Sequence, residues 1–264
     1  MRSFSFLNTL TFLACTFVFA KAPDGFTEQS WMVDGVKRTA LVRAPVNSKK
    51  PNAIVFCWHG LGGTAEYSAF SWRLDKIDNN SVLVFPQGLP SEWNPKLMGW
   101  QAELGTNGDR DVRFFDTMLS DLQKKYTIDS RRVYTMGHSN GAVFCYVLWQ
   151  ARPRVLAAIG PVAAYIPFKD EELPPMDVIH IAGKKDQVIQ YELQLDTLRK
   201  VRLLNRCEVE GKPWGKPSVL GATIYSANNG KSVVTVIHEG GHEYPTGASE
   251  IIVRFFNENH RPTN

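Results

Sequence analysis

Short runs that are apolar at nearly every position alternate along this chain with longer stretches that are apolar on one helical face. The short runs are residues 53–57 (AIVFC), 81–85 (SVLVF), 132–136 (RVYTM), 156–162 (LAAIGPV), 177–182 (DVIHIA) and 232–237 (SVVTVI). Strands covered on both faces read this way, because neither side meets water. Residues 111–126, 142–152, 192–206 and 248–259 read as helices; in the first, Val112, Phe115, Met118, Leu119 and Leu122 fall on one face at helical spacing. Residues 26–33 and 36–42 flank Asp34-Gly35, a two-residue turn signal, so a β-hairpin is expected ahead of the alternating elements. Strands alternating with helices predict an α/β fold, a mostly parallel central sheet with helices on both faces. Two connections are long. Residues 86–110 carry Trp93 and Trp100 among Gly and Pro, and residues 208–231 are polar and turn-rich, with one extra short strand expected. Neither is large enough to form a separate lid domain.

Length and composition fit one domain. The chain has 264 residues, 44% of them hydrophobic, enough for a single sizeable core, expected over residues 23–264. The net charge is only +4 and the basic residues are scattered, which argues against nucleic acid or an anionic membrane as partner. The first twenty residues differ from the rest: Arg2 precedes an uncharged, mostly apolar run, and the small residues of VFAKAP offer cleavage after Ala20 or Ala22. Residues 1–20 are therefore expected to be a secretory signal peptide and the protein secreted or periplasmic, with lipid attachment at Cys15 as the alternative. No second apolar run of that length occurs, so no stable membrane insertion is expected after cleavage. Cys57, Cys145 and Cys207 remain, an odd number that allows at most one intramolecular disulfide and fits no zinc spacing.

The chemistry is carried by Gly137-His138-Ser139-Asn140-Gly141, set between an expected buried strand and an expected helix. A sharp strand-to-helix turn exposes its middle residue in a strained conformation, and glycines two positions away on each side prevent collision. Ser139 is thus a candidate nucleophile. A serine hydroxyl needs a base, and the base needs an orienting carboxylate, following in the order serine, acid, histidine on such a sheet. Asp186 lies on the loop beyond the carboxyl end of 177–182, where a sheet of this kind assembles its site, whereas Asp177 lies at the other end. His59 and His138 have the wrong order, His180 lies inside a strand and His260 in the tail. That leaves His242, favoured over His238 because Gly240 and Gly241 let its ring fold back over the sheet edge. His59-Gly60-Leu61-Gly62-Gly63 follows the first apolar run, and its flexible backbone can turn an N–H toward developing negative charge. Leu61 N–H and Asn140 N–H are the expected oxyanion donors. The loop lacks the endings of a P-loop or a dinucleotide fingerprint, and neither metal nor organic cofactor is implied.

The stretch from Arg110 to Pro153, containing GHSNG, with WHGLGG before it and GGHEYP after it, resembles the polyhydroxybutyrate depolymerase, feruloyl esterase and acetylxylan esterase family. The resemblance spans roughly residues 33–256. It implies the α/β-hydrolase fold, Ser139, Asp186 and His242 as a catalytic triad, and a small-molecule or polymer-linked ester as substrate. Many members carry a second cysteine opposite the one corresponding to Cys207; this chain has Ala227 and Asn228 there.

Aromatic side chains at Trp58, Trp93, Trp100, Tyr191 and Tyr244 sit near the loops expected to rim the site, either to stack on a phenolic or sugar ring or to anchor those loops. Arg110 and Asp111 are read as a helix cap and a surface charge. The leading expectation is a secreted serine esterase acting through an acyl-enzyme. The alternatives are a serine peptidase on the same fold and a catalytically inactive binding protein.

Overall fold

The structure, a computed structural model, describes residues 22–46, 51–168, 173–215 and 220–262. The expected signal peptide over residues 1–20, with Cys15, lies outside the described residues. In chain order the elements are β1 (Phe26–Val33), β2 (Val36–Arg43), β3 (Asn52–Trp58), α1 (Ala65–Trp72), α2 (Leu74–Ile77), β4 (Ser81–Pro86), β5 (Leu89–Pro90), β6 (Met98–Gly99) and α3 (Arg110–Lys125). There follow β7 (Ile128–His138), α4 (Asn140–Ala151), β8 (Ala158–Val162), β9 (Asp177–Gly183), α5 (Tyr191–Asn205), β10 (Lys212–Pro213), β11 (Ala222–Ser226), β12 (Ser232–His238) and α6 (Ala248–Glu258).

One sheet takes the order β1-β2-β4-β3-β7-β8-β9-β12-β11-β10, and β5 pairs with β6 apart from it. From β4 to β12 the pairing is parallel throughout. The edges are antiparallel, β1–β2 on one side and β11–β10 on the other. The hairpin turns at Asp34 (φ 50°) and Gly35 (φ 79°), the doubly positive geometry that matches the twist of paired strands.

Every position of β3, β4, β8 and β9 is buried. Ile54, Phe56 and Trp58 point into a core shared with α3, α4 and α5, while Val55 and Cys57 point into one shared with α1, α2 and α6. Two hydrophobic layers, one per face, account for runs that never alternate with polar residues. The long connections hold more structure than expected: β5 and β6 in the first, β10 and β11 in the second. The described cysteines are all free thiols; Cys57 and Cys145 are buried, and Cys207 bridges in the ladder to Ala227.

Asp111 corrects its sequence reading. It is neither exposed nor a cap: its side chain is fully buried and pairs at 2.8 Å with Arg38 of β2, which is equally buried. Burial pulls the Arg38 guanidinium below its ordinary pKa, and Asp111 acts against that shift. The second Asp111 oxygen accepts Gln101 N–H at 2.9 Å, so the pair ties the sheet edge to the first turn of α3 and to the loop carrying Trp100. Removing one member leaves a buried charge without its partner. Asp111→Ala is therefore expected to cost about 3–5 kcal/mol of stability, measured by urea denaturation.

Candidate active site

Ser139 sits between the last residue of β7 and the first of α4 with φ 55° and ψ −123°, a conformation that non-glycine residues adopt only under constraint. The constraint is steric. A Cβ on Gly141 would lie 2.2 Å from the Trp58 carbonyl oxygen, and one on Gly137 would lie 2.5 Å from the Gly141 carbonyl oxygen. Helix α4 thus starts directly against the β3 backbone, a distance that only glycine permits. Ser139 N–H is held by Val162 O at 2.9 Å, and the serine carbonyl accepts Ala142 and Val143 N–H, each at 2.9 Å.

The three side chains named from the sequence form one hydrogen-bonded chain. Ser139 Oγ lies 2.8 Å from His242 Nε2, and His242 Nδ1 lies 2.8 Å from Asp186 Oδ2. Asp186 is buried on the loop after β9, where Oδ1 also accepts Val188 and Ile189 N–H at 2.9 Å each. His242 hangs from the loop after β12. Backbone bonds from Lys184 to His238 (2.9 Å) and from Lys185 to Gly240 (2.8 Å) lace that loop to the one bearing Asp186.

The other histidines have different surroundings. His138 Nε2 lies 3.0 Å from the His242 carbonyl oxygen, so its ring holds the backbone of the neighbouring loop. His238 accepts Gly240 N–H at 3.2 Å and lies 3.6 Å from Glu243. His59 bridges Gly60 O (2.8 Å) and Gly88 N–H (3.0 Å), which requires the proton on Nδ1. It shapes the loop after β3, in which Gly62 N–H donates to Met98 O at 2.7 Å. That loop packs on the serine: a Cβ on Gly60 would meet Ser139 Cβ at 3.4 Å. Leu61 lies within this loop, partly exposed, and Asn140 opens α4, ahead of the first bonds that the helix makes, from Ala142 and Val143 N–H to Ser139 O. The Asn140 side chain clasps Trp100, accepting its N–H at 2.8 Å and donating to its carbonyl at 3.0 Å.

The aromatic residues divide. Trp58 is 0% exposed, donates to Thr135 Oγ1 at 2.5 Å and packs edge-on to Trp100 and Phe144, so the expectation that it contacts substrate is wrong: it lies beneath the site. Tyr244 is partly buried, stacks on Trp72 at 4.7 Å and shares a 2.8 Å hydrogen bond with Ser249, the contacts of a loop anchor. Trp93 (60% exposed) and the buried Trp100 line a cleft of about 190 Å³ together with Glu92, Glu103, Thr106 and Tyr165. Tyr165 follows β8, whose Val162 holds Ser139, and Trp100 is held by Asn140; Ser139 and His242 are not among the residues lining the cleft. Among the described residues no group of three or more His, Cys, Asp or Glu side chains is arranged to hold a metal ion.

Gln194 is the polar residue that the motifs did not announce: it is fully buried on α5 and donates to Asp186 Oδ2 at 3.0 Å. Its signal was a polar side chain on the stripe that continues through Leu198 and Val201.

No protein-family model matches the chain. Compared with solved structures, it superposes on an acetyl xylan esterase from Aspergillus awamori with a TM-score of 0.61 and 16% identity, over 88% of this chain and 99% of that one. The chain is an α/β-hydrolase by fold. Sequence relatives of the chain include the bifunctional acetylxylan esterase/xylanase XynS20E of Neocallimastix patriciarum, 25% identical over 161 residues, covering 60% of this chain and 23% of that protein. Feruloyl esterase B of Talaromyces stipitatus is 29% identical over 129 residues, covering 48% and 36% respectively. The chain thus spans well under two thirds of the length of either relative. They bear out the resemblance to feruloyl and acetylxylan esterases read from its motifs.

Three of the buried imidazoles leave a mark on stability. Burial lowers His59, His138 and His180 to about 4 from an ordinary 6.5. The unfolded chain takes up these protons at a higher pH than the folded protein. Their contribution is therefore fully present above about pH 6.5 and lost as the pH falls toward 4. Urea midpoints measured across that range are expected to drop steeply; a flat profile would contradict the burial of these rings.

Proposed function

We propose that this α/β-hydrolase is an exported serine esterase that hydrolyses carboxylic esters through an acyl-enzyme, its leader cut after Ala20 or Ala22. The observation carrying the reading is the continuous chain from Ser139 Oγ to His242 to Asp186, with both links at 2.8 Å, on a strained strand-to-helix turn. His242 Nε2 takes the hydroxyl proton as Ser139 Oγ bonds to the ester carbonyl carbon. Negative charge on the former carbonyl oxygen is met by the N–H groups of Leu61 and Asn140, at the positive end of α4. Collapse breaks the bond to the alcohol, which leaves with the proton from His242. Water then repeats the sequence on the acyl group and frees Ser139. Among the described residues no helix is long and apolar enough to cross a membrane.

The substrate class is read from the cleft containing Trp93. Trp93 and Tyr165 offer ring surface, Glu92 and Glu103 add negative charge, and no lysine or arginine among the described residues lines it. Uncharged ring-bearing esters of the feruloyl or acetylated-sugar kind suit such walls, whereas an acid with a free carboxylate is repelled.

Ser139→Ala is expected to lower p-nitrophenyl acetate hydrolysis by at least about a thousandfold and to abolish fluorophosphonate labelling. Retained turnover in that variant refutes the nucleophile. Across an ester panel, kcat/KM for methyl ferulate and acetylated xylan is expected to exceed that for hydroxybutyrate oligomers, which carry a terminal carboxylate. The reverse ranking removes the cleft as the specificity element.

A further inference from the structure

Asp186 accepts more hydrogen bonds than one imidazole supplies. Beyond the two backbone N–H groups at Oδ1, its Oδ2 accepts both His242 Nδ1 and Gln194 Nε2. Gln194 Nε2 also donates to Ile189 O at 2.7 Å. With oxygen acceptors on both sides, the amide orientation is fixed: the NH2 group faces Asp186 and Ile189, and Oε1 turns away from them. Oε1 is buried with no partner at hydrogen-bond distance, and so is Nε2 of His180 in the middle of β9. Burial lowers the His180 imidazole to about 4, and Gln194 acts against that shift. On its other nitrogen, His180 Nδ1 lies 2.8 Å from the hydroxyl of Tyr146, a fully buried residue of α4. A neutral imidazole carries one donor and one acceptor. If Tyr146 O–H donates to Nδ1, the ring proton sits on Nε2, the complement of the unfilled Gln194 Oε1.

Taking Ser139, His242 and Asp186 in the roles proposed above, we infer that Gln194 is a positioning residue, fixing the Asp186 carboxylate and linking it through His180 to Tyr146 in the core. Two chains of donors then converge on one carboxylate. Ser139 donates to His242 and His242 to Asp186; from the opposite side Tyr146 pairs with His180 and Gln194 donates to Asp186, the unfilled His180 Nε2 and Gln194 Oε1 being the complementary step between them. The second chain spreads the negative charge of Asp186 over the amide and stops the carboxylate from turning away from His242.

Few other charged or titratable groups face this centre. His138 of β7 has its ring centroid 5.0 Å from that of His242 and stays neutral, since burial lowers it to about 4. Lys184 pairs with the exposed Glu239, and Lys185 lies on the same loop as Asp186. Glu243 holds Gly241 N–H and faces His238 at the end of β12.

The test is the pH profile of kcat and kcat/KM for p-nitrophenyl acetate in the wild type, Gln194→Leu and Tyr146→Phe, with circular dichroism as the check on folding. In Gln194→Leu, kcat is expected to fall about tenfold with KM little changed. The acid limb of kcat/KM is expected to move to higher pH, because a carboxylate with one donor fewer holds the imidazolium more firmly. Tyr146→Phe removes one hydroxyl from the far end of the chain and is expected to move the limb the same way by less; it carries the readout if Gln194→Leu does not fold. An acid limb at its wild-type position overturns the inference even where kcat drops, since loosened packing lowers kcat without moving a titration. Ser139→Ala in the same assay separates the two levels. Activity retained there overturns the triad itself, whereas activity lost there with an unmoved limb overturns only the role of Gln194.

Discussion

A backbone contact with no room for a side chain governs the carboxyl end of the sheet. Gly141 touches the carbonyls of Trp58 and His59, so the first turn of α4 is wedged against the end of β3. The chain leaving β7 has one residue in which to reverse, and Ser139 takes up the whole change of direction in a conformation costing about 1–3 kcal/mol. That cost is offset inside the molecule. Every residue from Asn140 to Trp149 is buried, which makes α4 the most enclosed of the helices and an anchor that does not yield. The same wedge brings the His59–Gly63 loop alongside the serine, so Ser139 and that loop are positioned by one contact rather than two.

Hydrogen-bonded clamps in the interior do the rest of the positioning. Along the buried stripe of α5, Thr197 accepts Ile166 N–H at 3.0 Å, and Asn205 both accepts from and donates to Met176. Asn140 does the same for Trp100, and His59 bridges two loops. Each clamp satisfies backbone groups of an irregular segment that would otherwise be buried without partners, at a cost of about 1–3 kcal/mol apiece. The loops around the site are held by side chains reaching out of the regular elements, and so keep their shape without being packed themselves.

This division explains what could be read from the residues alone. The parallel strands, four of the helices and the opening hairpin follow from local pattern, because a strand covered on both faces and a striped helix are legible in a window of ten residues. The grouping of Ser139, Asp186 and His242 was legible for a related reason: each lies at the carboxyl end of a recognisable strand. Helix α1 escaped because its buried face consists of Ala65, Ser68, Ala69 and Trp72, too small and too polar to stand out as a stripe. Trp58 and Asp111 were misjudged because burial of one side chain depends on partners far away in sequence, Thr135 and Arg38. Gln194 was overlooked because the buried face of α5 also carries Thr197 and Asn205, so one polar side chain does not stand out until its carboxylate partner is located.

The free thiols give the architecture a chemical direction in time. Cys57 and Cys145 lie on opposite sides of the sheet, both enclosed; burial pushes Cys145 up to about 12 and raises Cys57 and Cys207 as well. A thiol held protonated neither attacks a disulfide nor is readily oxidised, so the enclosed Cys57 and Cys145 are inert in an oxidising medium. The unfolded chain has no such protection. Three thiols become reactive together, and a cross-link between any two would join residues that the native sheet keeps apart. In an oxidising medium, folding would thus be a race between collapse of the core and oxidation.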